Sequence, residues 1–278
     1  MRNSIENIVN ILNAKRIGTR PTEIDWILTD SRSLCFAEET LFFALKSKRN
    51  DGHKYIPELY ERGVRSFVVG ELPQNIEEYS DANFLLVSDP MKSLQKLAEK
   101  HREVFDVPVI GITGSNGKTV VKEWLYQLLS AERIITRSPR SYNSQIGVPL
   151  SVWLMNEKTE LGVFEAGISE MGEMEALQSI IRPTIGVLTN IGGAHQENFF
   201  SLEDKCMEKL ALFSNCDVII YDGDNELISS CVAKSLFATR EIAWSKKTTN
   251  ARCSSNPSKK ERFLQPSVTV IWECPTNM

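Results

Sequence analysis

Long apolar runs are missing from this chain: none of its 278 residues belongs to a hydrophobic stretch near the roughly 20 that a membrane span needs. The amino-terminal residues, with Asn3, Glu6 and Asn7, lack the basic-then-apolar layout of a secretion signal, so a cytoplasmic location is expected. Cysteine is sparse and scattered. Cys35, Cys206, Cys216, Cys231, Cys253 and Cys274 form no CxxC pair, and no histidine stands at metal-finger spacing, which argues against a zinc module and for reduced thiols. Positive charge is not in excess either. With 32 Lys and Arg against 36 Asp and Glu, the net charge of -4 argues against a broad nucleic-acid surface. Any anionic ligand must be met by local cations.

What is present is an ordinary globular composition, 42% hydrophobic and 24% charged, on a chain long enough for a sizeable core and about two domains. Its centre is the stretch Gly111-Ile112-Thr113-Gly114-Ser115-Asn116-Gly117-Lys118-Thr119. The apolar run Val107 to Ile112 reads as a buried strand leading into it. Beyond it, Val121, Trp124, Leu125, Leu128 and Leu129 recur at helical period and are expected on one apolar face. A glycine-rich turn between a strand and a helix N-terminus suits a phosphate: Gly114, Ser115, Asn116 and Gly117 offer backbone N–H groups, Lys118 can reach phosphate oxygens, and Thr119 can hold Mg²⁺. The strict GxxxxGK[ST] pattern is not met, because Ile112 occupies its first glycine position. A plain β-α turn therefore stays open on the loop alone.

Residues 1–90 alternate short apolar segments, Trp26 to Thr29, Leu41 to Leu45, Phe67 to Val69 and Phe84 to Val87, with polar turns and one helical pattern from Ile56 to Arg62. This predicts a small α/β domain. Two loops follow its strands: Asp30-Ser31-Arg32, and Lys46 to His53 with Asp51 and Gly52 inside it. They suit a phosphorylated ligand, or are simply solvated. Residues 91–106 read as a linker helix. From residue 107 to 245 strand and helix alternate: strands at Leu161 to Phe164, Ile185 to Leu188 and Val218 to Tyr221, and helices at Met174 to Ile181 and Leu202 to Phe213. That alternation predicts a parallel sheet. Residues 246–278 change character, rich in Ser, Thr, Asn and Lys with one strand pattern at Val268 to Trp272, and are expected to be a divergent, poorly ordered tail.

Ligands of open α/β sheets sit beyond the carboxyl ends of the strands. Here those ends supply the glycine loop, Glu165, Thr189 and Asn190 followed by His195, and Asp222 to Asn225. A hydroxyl, a carboxylate and an imidazole beside a phosphate loop are the parts of a Mg·ATP site. His195 is an unusual magnesium ligand, and a structural role is the ordinary alternative. Lys205 and Lys209, four apart on a helix opened by the Ser201 capping box, share a face, and periodicity does not choose between them.

Together, Asp30-Ser31-Arg32, Leu41 to Leu45 with Asp51-Gly52-His53, Gly111 to Thr119, Tyr142 to Leu150, Glu165-Ala166-Gly167, Arg182-Pro183 and Thr189-Asn190-Ile191 with His195 resemble the Mur ligases of peptidoglycan synthesis, most closely the MurF type. The resemblance spans about residues 28 to 230 and implies an ATP-dependent ligase that adds D-alanyl-D-alanine to a UDP-N-acetylmuramoyl tripeptide through an acyl phosphate. It implies that Lys118 and Thr119 serve ATP and Mg²⁺, that Glu165 and His195 complete the metal site, and that Asn143 and Asn190 line the nucleotide cleft, with Asp224 and Asn225 near the adenosine. It also implies a carbamylated lysine fourteen residues after the histidine, a count that from His195 lands on Lys209. Ser31, Arg32, Lys46, Asp51, Gly52 and His53 are implied to hold the UDP part.

Two departures stand out. The family's His-Leu-Glu-Gly-Phe appears as His195-Gln196-Glu197-Asn198-Phe199, and no counterpart of a C-terminal ligase domain is found before Met278. The spelling also resembles the ligase part of ligase/alanine racemase fusions. A monomer is expected. The alternatives are a truncated, inactive fragment that binds ATP or UDP-muramoyl peptide, and a different Mur-type amino-acid ligase.

Overall fold

The computed structural model describes residues 3–48, 50–193, 198–235, 237, 239–246 and 252–254. The amino-terminal part runs β1 (Asn3–Ser4), α1 (Ile5–Leu12), β2 (Lys15–Ile17), β3 (Glu23–Ile24), β4 (Trp26–Leu28), β5 (Thr40–Phe43), α2 (Ile56–Glu61), β6 (Ser66–Val69) and β7 (Asn83–Leu86). Helix α1 is stopped at both ends by its sequence: the Ser4 hydroxyl accepts from the Asn7 N–H, and Asn13 takes a left-handed conformation with φ of 52°. Five strands form one sheet in the order β2-β7-β6-β5-β4, with β4 to β7 parallel and β2 antiparallel at the edge. Both faces are apolar, as a covered parallel sheet requires. Leu41, Phe43, Val68 and Leu85 pack under α1, while Phe42, Phe67, Val69 and Phe84 pack on the α2 side.

Helix α3 (Pro90–Glu103) links this sheet to the next, capped by Asp89 and started by Pro90. The second part runs β8 (Val109–Thr113), α4 (Lys118–Leu129), β9 (Ile135–Arg137), α5 (Gly147–Val152), β10 (Leu161–Glu165), α6 (Glu173–Ile181), β11 (Ile185–Leu188), α7 (Leu202–Leu210), β12 (Val218–Asp222), α8 (Glu226–Lys234), β13 (Arg240–Trp244) and β14 (Arg252–Ser254). The sheet order is β14-β13-β12-β11-β8-β10-β9, parallel except for β14. From β8 the chain goes to one edge, returns to β10, then crosses to β11. The loop after β8 therefore lies at the switch point, where a crevice opens above the sheet.

Successive strand residues face opposite sides. Val109, Phe164 and Leu188 join the larger core with α5, α6, α7 and α8, whereas Ile110, Ile112 and Val163 join a smaller one with α4. The apolar face expected on α4 divides: Val121, Leu125 and Leu129 pack on the sheet, while Trp124 and Leu128 are 62% and 64% exposed. Five residues of that spacing cover a wider arc than one layer of sheet can bury.

No sequence expectation covers β1, α1, β2, β3, β9, α5, α8 or β13; the strands and α5 are too short to show a period, whereas α1 and α8 do carry apolar residues at helical spacing, Ile5, Ile8, Val9 and Leu12 in one and Ile228, Cys231 and Val232 in the other. Strand β14 falls within the stretch expected as a tail and pairs with β13. The strand pattern at 268–272 lies outside the described residues. Among those described, no helix is long and apolar enough to cross a membrane.

Candidate functional site

The loop between β8 and α4 is shaped by two glycines with left-handed backbone, Gly114 at φ 142° and Gly117 at φ 80°. A Cβ on Gly114 would stand 2.0 Å from Thr189 Oγ1, so the close approach of this loop to the end of β11 admits glycine alone. The neighbouring segment braces it. Ser115 N–H donates to Asn190 O, Asn116 N–H to Asn190 Oδ1, and Thr189 Oγ1 to Asn116 O. Asn190 is thus a strut of the loop, through backbone and side chain both.

Three oxygens gather at the start of α4. Thr119 Oγ1 donates to Glu165 Oε2 at 3.0 Å and lies 3.2 Å from Ser141 Oγ. Glu165, at the carboxyl end of β10, is fully buried. An all-oxygen set with one carboxylate is what a hard divalent cation accepts, so these residues fit Mg²⁺. His195 lies outside the described residues.

Lys118 Nζ donates to Gly114 O at 2.8 Å. Burial lowers its pKa; Glu165 opposes that shift and Lys205 adds to it. Lys118 shares a cavity of about 140 Å³ with Gly114, Ser115, Asn143, Ser144, Gly167 and Lys209. Of the two lysines on α7, it is Lys209 that lines the cavity, while Lys205 Nζ donates to Gly192 O. Lys209 is pushed down to about 8, first by burial and then by the charges of Lys118 and Lys205. A larger cavity of about 480 Å³ lies at the opposite, amino ends of the strands, lined by Arg102, Gln178, Arg182 and Asn215 among others. Chemistry decides between them, since only the smaller one meets the glycine loop.

Asp224 and Asn225 follow β12 and do not line that cavity. Asn225 caps α8 by accepting from the Ile228 N–H, and Asp224 accepts from Ser245 Oγ and the Lys246 N–H. Two groups near Thr119 carry no signal in the sequence pattern. Ser141 sits in an unpatterned loop, and Lys122 reads as one more surface lysine of an amphipathic helix, yet it is fully buried.

In the first sheet the two polar loops also follow the carboxyl ends of strands. The Asp30 side chain accepts from the Arg32 N–H and pairs with its guanidinium at 2.7 Å, while Ser31 is buried and its carbonyl accepts from Arg62. Lys46 and His53 line a cavity of about 280 Å³ with Gly70, Glu71 and Ser88. Lys46 pairs with Asp51 at 3.3 Å. Asp51 falls to about 2, chiefly through the N–H and ring of His53. Asp51, His53 and Glu71 cluster closely enough for a metal, but both His53 nitrogens are engaged: Nδ1 with Asp51 at 2.6 Å, and Nε2 accepting from the Gly70 N–H. Gly52 is a close approach, since its Cβ would meet Leu45 N at 2.8 Å. Ser31 and Arg32 are not among the residues lining this cavity.

A model of the Mur ligase middle domain matches residues 112–269, more than half of the chain. The chain belongs to the Mur ligase family. Among curated relatives, it is similar to the UDP-N-acetylmuramoyl-tripeptide–D-alanyl-D-alanine ligase of Bacillus subtilis, 32% identical over 243 residues that cover 84% of this chain and 52% of that protein. The ligase of the same name from Borreliella burgdorferi is 34% identical, over 82% of this chain and 48% of the other. Among solved structures, MurF ligase from Thermotoga maritima in complex with ADP superposes with a TM-score of 0.70 at 28% identity, covering 81% of this chain and 51% of that one. MurF from Acinetobacter baumannii gives a TM-score of 0.78 at 24% identity over 87% of this chain and 53% of that one, a likeness of fold. The chain spans about half the length of the relatives it matches.

Proposed function

We propose that this Mur ligase chain provides the nucleotide-binding and UDP-substrate-binding parts of an ATP-dependent amide-forming ligase of peptidoglycan precursor synthesis. In this reading it acts in the cytoplasm, and the relatives' printed substrates carry over: a UDP-N-acetylmuramoyl tripeptide and D-alanyl-D-alanine. The observation that carries the reading is that the glycine loop, Lys118 and Lys209 line one cavity, with Thr119, the residue next to Lys118, hydrogen-bonded to Glu165.

In the reaction, the backbone N–H groups of the loop and the N-terminus of α4 bind the phosphates. The Lys118 ammonium exchanges the Gly114 carbonyl for phosphate oxygens and offsets charge that develops as the substrate carboxylate attacks the γ-phosphorus and the bond to the β-phosphate oxygen breaks, giving the acyl phosphate and ADP; the amine then displaces phosphate from the acyl carbon. Thr119 and Glu165 would hold Mg²⁺, with His195 as the implied third ligand; when bound, the ion supplies charge neutralisation on the phosphates. Asn143 lines the cleft between nucleotide and carboxylate. Lys209 is buried, and its depressed pKa keeps a share of its amine neutral near neutral pH, the form able to add carbon dioxide. Carbamylation then turns it into an oxygen ligand. In the first sheet Lys46, Asp51, Gly52 and His53, with Ser31 and Arg32, are assigned to the UDP part. In domain terms, residues 1–90 bind the UDP substrate, 91–106 link, and 107–245 bind ATP.

The test is phosphate release and acyl-phosphate trapping with ATP and UDP-muramoyl tripeptide, without and with D-alanyl-D-alanine. Acyl phosphate that forms with the tripeptide and is consumed on adding the dipeptide supports the reading. Because the chain spans half of its relatives' length, a second reading is a binding part that is inactive alone; saturable ATP binding without acyl phosphate would favour it.

A further inference from the structure

Helix α4 fully buries one side chain among its residues, and that side chain is a lysine. Burying an ammonium is costly unless it is paired and hydrogen-bonded. Lys122 is both. Its Nζ donates to Ser138 O at 2.8 Å and to Arg140 O, and it stands 3.0 Å from Glu165 Oε1 and 3.2 Å from Glu123 Oε1. The two oxygens of Glu165 are therefore divided. Oε1 makes no well-aligned hydrogen bond and faces Lys122 as a charge contact, whereas Oε2 faces the Thr119 hydroxyl.

The same ammonium fixes a second wall. By holding the carbonyls of Ser138 and Arg140, it anchors the turn that presents Ser141, whose Oγ lies 3.2 Å from Thr119 Oγ1. Lys122 follows Thr119 by three residues and Lys118 by four, so one side of the first helical turns carries all three. Lys118 points to the loop's cavity and Lys122 to the sheet.

We propose that Lys122 is a positioning residue for the divalent cation that accompanies the nucleotide: it ties down one oxygen of Glu165 and the 138–141 turn, so that Glu165 Oε2 stays beside Thr119 Oγ1. The proposal rests on the nucleotide reading above. Lys122 itself lies beneath the oxygen cluster, and its action is on where the ligating oxygens stand. Supports of this kind typically contribute about 10–100-fold to metal affinity.

The experiment is calorimetric titration of ATP into the wild-type chain and Lys122→Met, each in excess Mg²⁺ and in EDTA. The wild type is expected to bind ATP more tightly with Mg²⁺. Lys122→Met should lose about 10–100-fold of that Mg²⁺-dependent increment while its affinity in EDTA stays within about twofold, a split that a general packing defect would not produce. Should Lys122→Met fail to fold, Lys122→Arg takes its place: it keeps the buried charge, but its two-pronged guanidinium engages both carboxylate oxygens, and the same increment should disappear. A full Mg²⁺ increment in the folded variant overturns the proposal and leaves the nucleotide reading intact. A wild-type chain whose ATP affinity ignores Mg²⁺ defeats that reading itself, and the proposal with it.

Discussion

Lys118 folds back on the carbonyl of Gly114, and its ammonium is disfavoured by burial. Deleting it removes one or two hydrogen bonds worth about 1 kcal/mol each, offset by the relief of a half-buried charge. Lys118→Ala is therefore expected to keep its melting temperature within about 2 °C and to lose about 100-fold or more in ATP-dependent turnover. Thermal melts and phosphate release measured side by side check both halves. Lys209 gives a pH signature. Its folded pKa, about 8 against an ordinary 10.5, means that the native state binds fewer protons than the unfolded chain between those values. Stability then rises with pH across that window, by at most about 3 kcal/mol from this group. Denaturant melts of the wild type and Lys209→Met in carbon-dioxide-free buffer from pH 7 to 10.5 should show the wild type gaining on the variant; parallel curves would contradict the assignment.

The loop from β8 to α4 separates two uses of glycine. At Gly117 a Cβ meets open space, so Gly117→Ala carries only the left-handed backbone penalty of about 1–2 kcal/mol. At Gly114 the same methyl group collides with Thr189, and Gly114→Ala should cost more than Gly117→Ala and detach the loop from Asn190. Chemical denaturation of both variants, with amide exchange at Ser115 and Asn116, tests the order. The contrast also shows what the sequence could carry. A glycine-rich turn between an apolar strand and a helix was legible, with Thr119 at the helix start, and so was Glu165 as a strand-end group, because strand ends are marked by where apolar runs stop. The division of labour between the glycines depends on β11 lying beside β8, a long-range pairing no local pattern encodes. Lys122 was hidden for a related reason: its burial comes from a carboxylate 43 positions away, and helical spacing alone treats it as solvated. Periodicity overreached at Trp124 for the opposite reason, since it scores apolarity without knowing how much sheet there is to cover.

Across the molecule, the two sheets are joined by shared parts. Trp153, the residue that caps the C-terminus of α5, enters the core of the first sheet, packs with its ring tilted 34° and centred 4.5 Å from that of His101 in α3, and donates to Asp25 O at 2.9 Å. Arg102 of α3 donates to the carbonyls of Ile181 and Arg182 at the end of α6. Replacing Trp153 by Ala should cost about 3–5 kcal/mol and split unfolding into two calorimetric transitions; a single transition at unchanged temperature would contradict this coupling. The overall architecture, a smaller α/β sheet followed by a parallel sheet with a phosphate loop, followed from the alternation of apolar segments. The coupling did not, because Trp153 looks like any core aromatic until its partner sheet is known.

The most direct test of the account is a crystal structure of the chain with Mg²⁺ and a non-hydrolysable ATP analogue. The β- and γ-phosphates are expected on the loop from Gly114 to Lys118, the Lys118 ammonium turned from Gly114 O onto phosphate oxygen, and the metal touching Thr119 Oγ1 and Glu165 Oε2. A nucleotide seated elsewhere, or a metal that leaves Glu165 uncontacted, would contradict it.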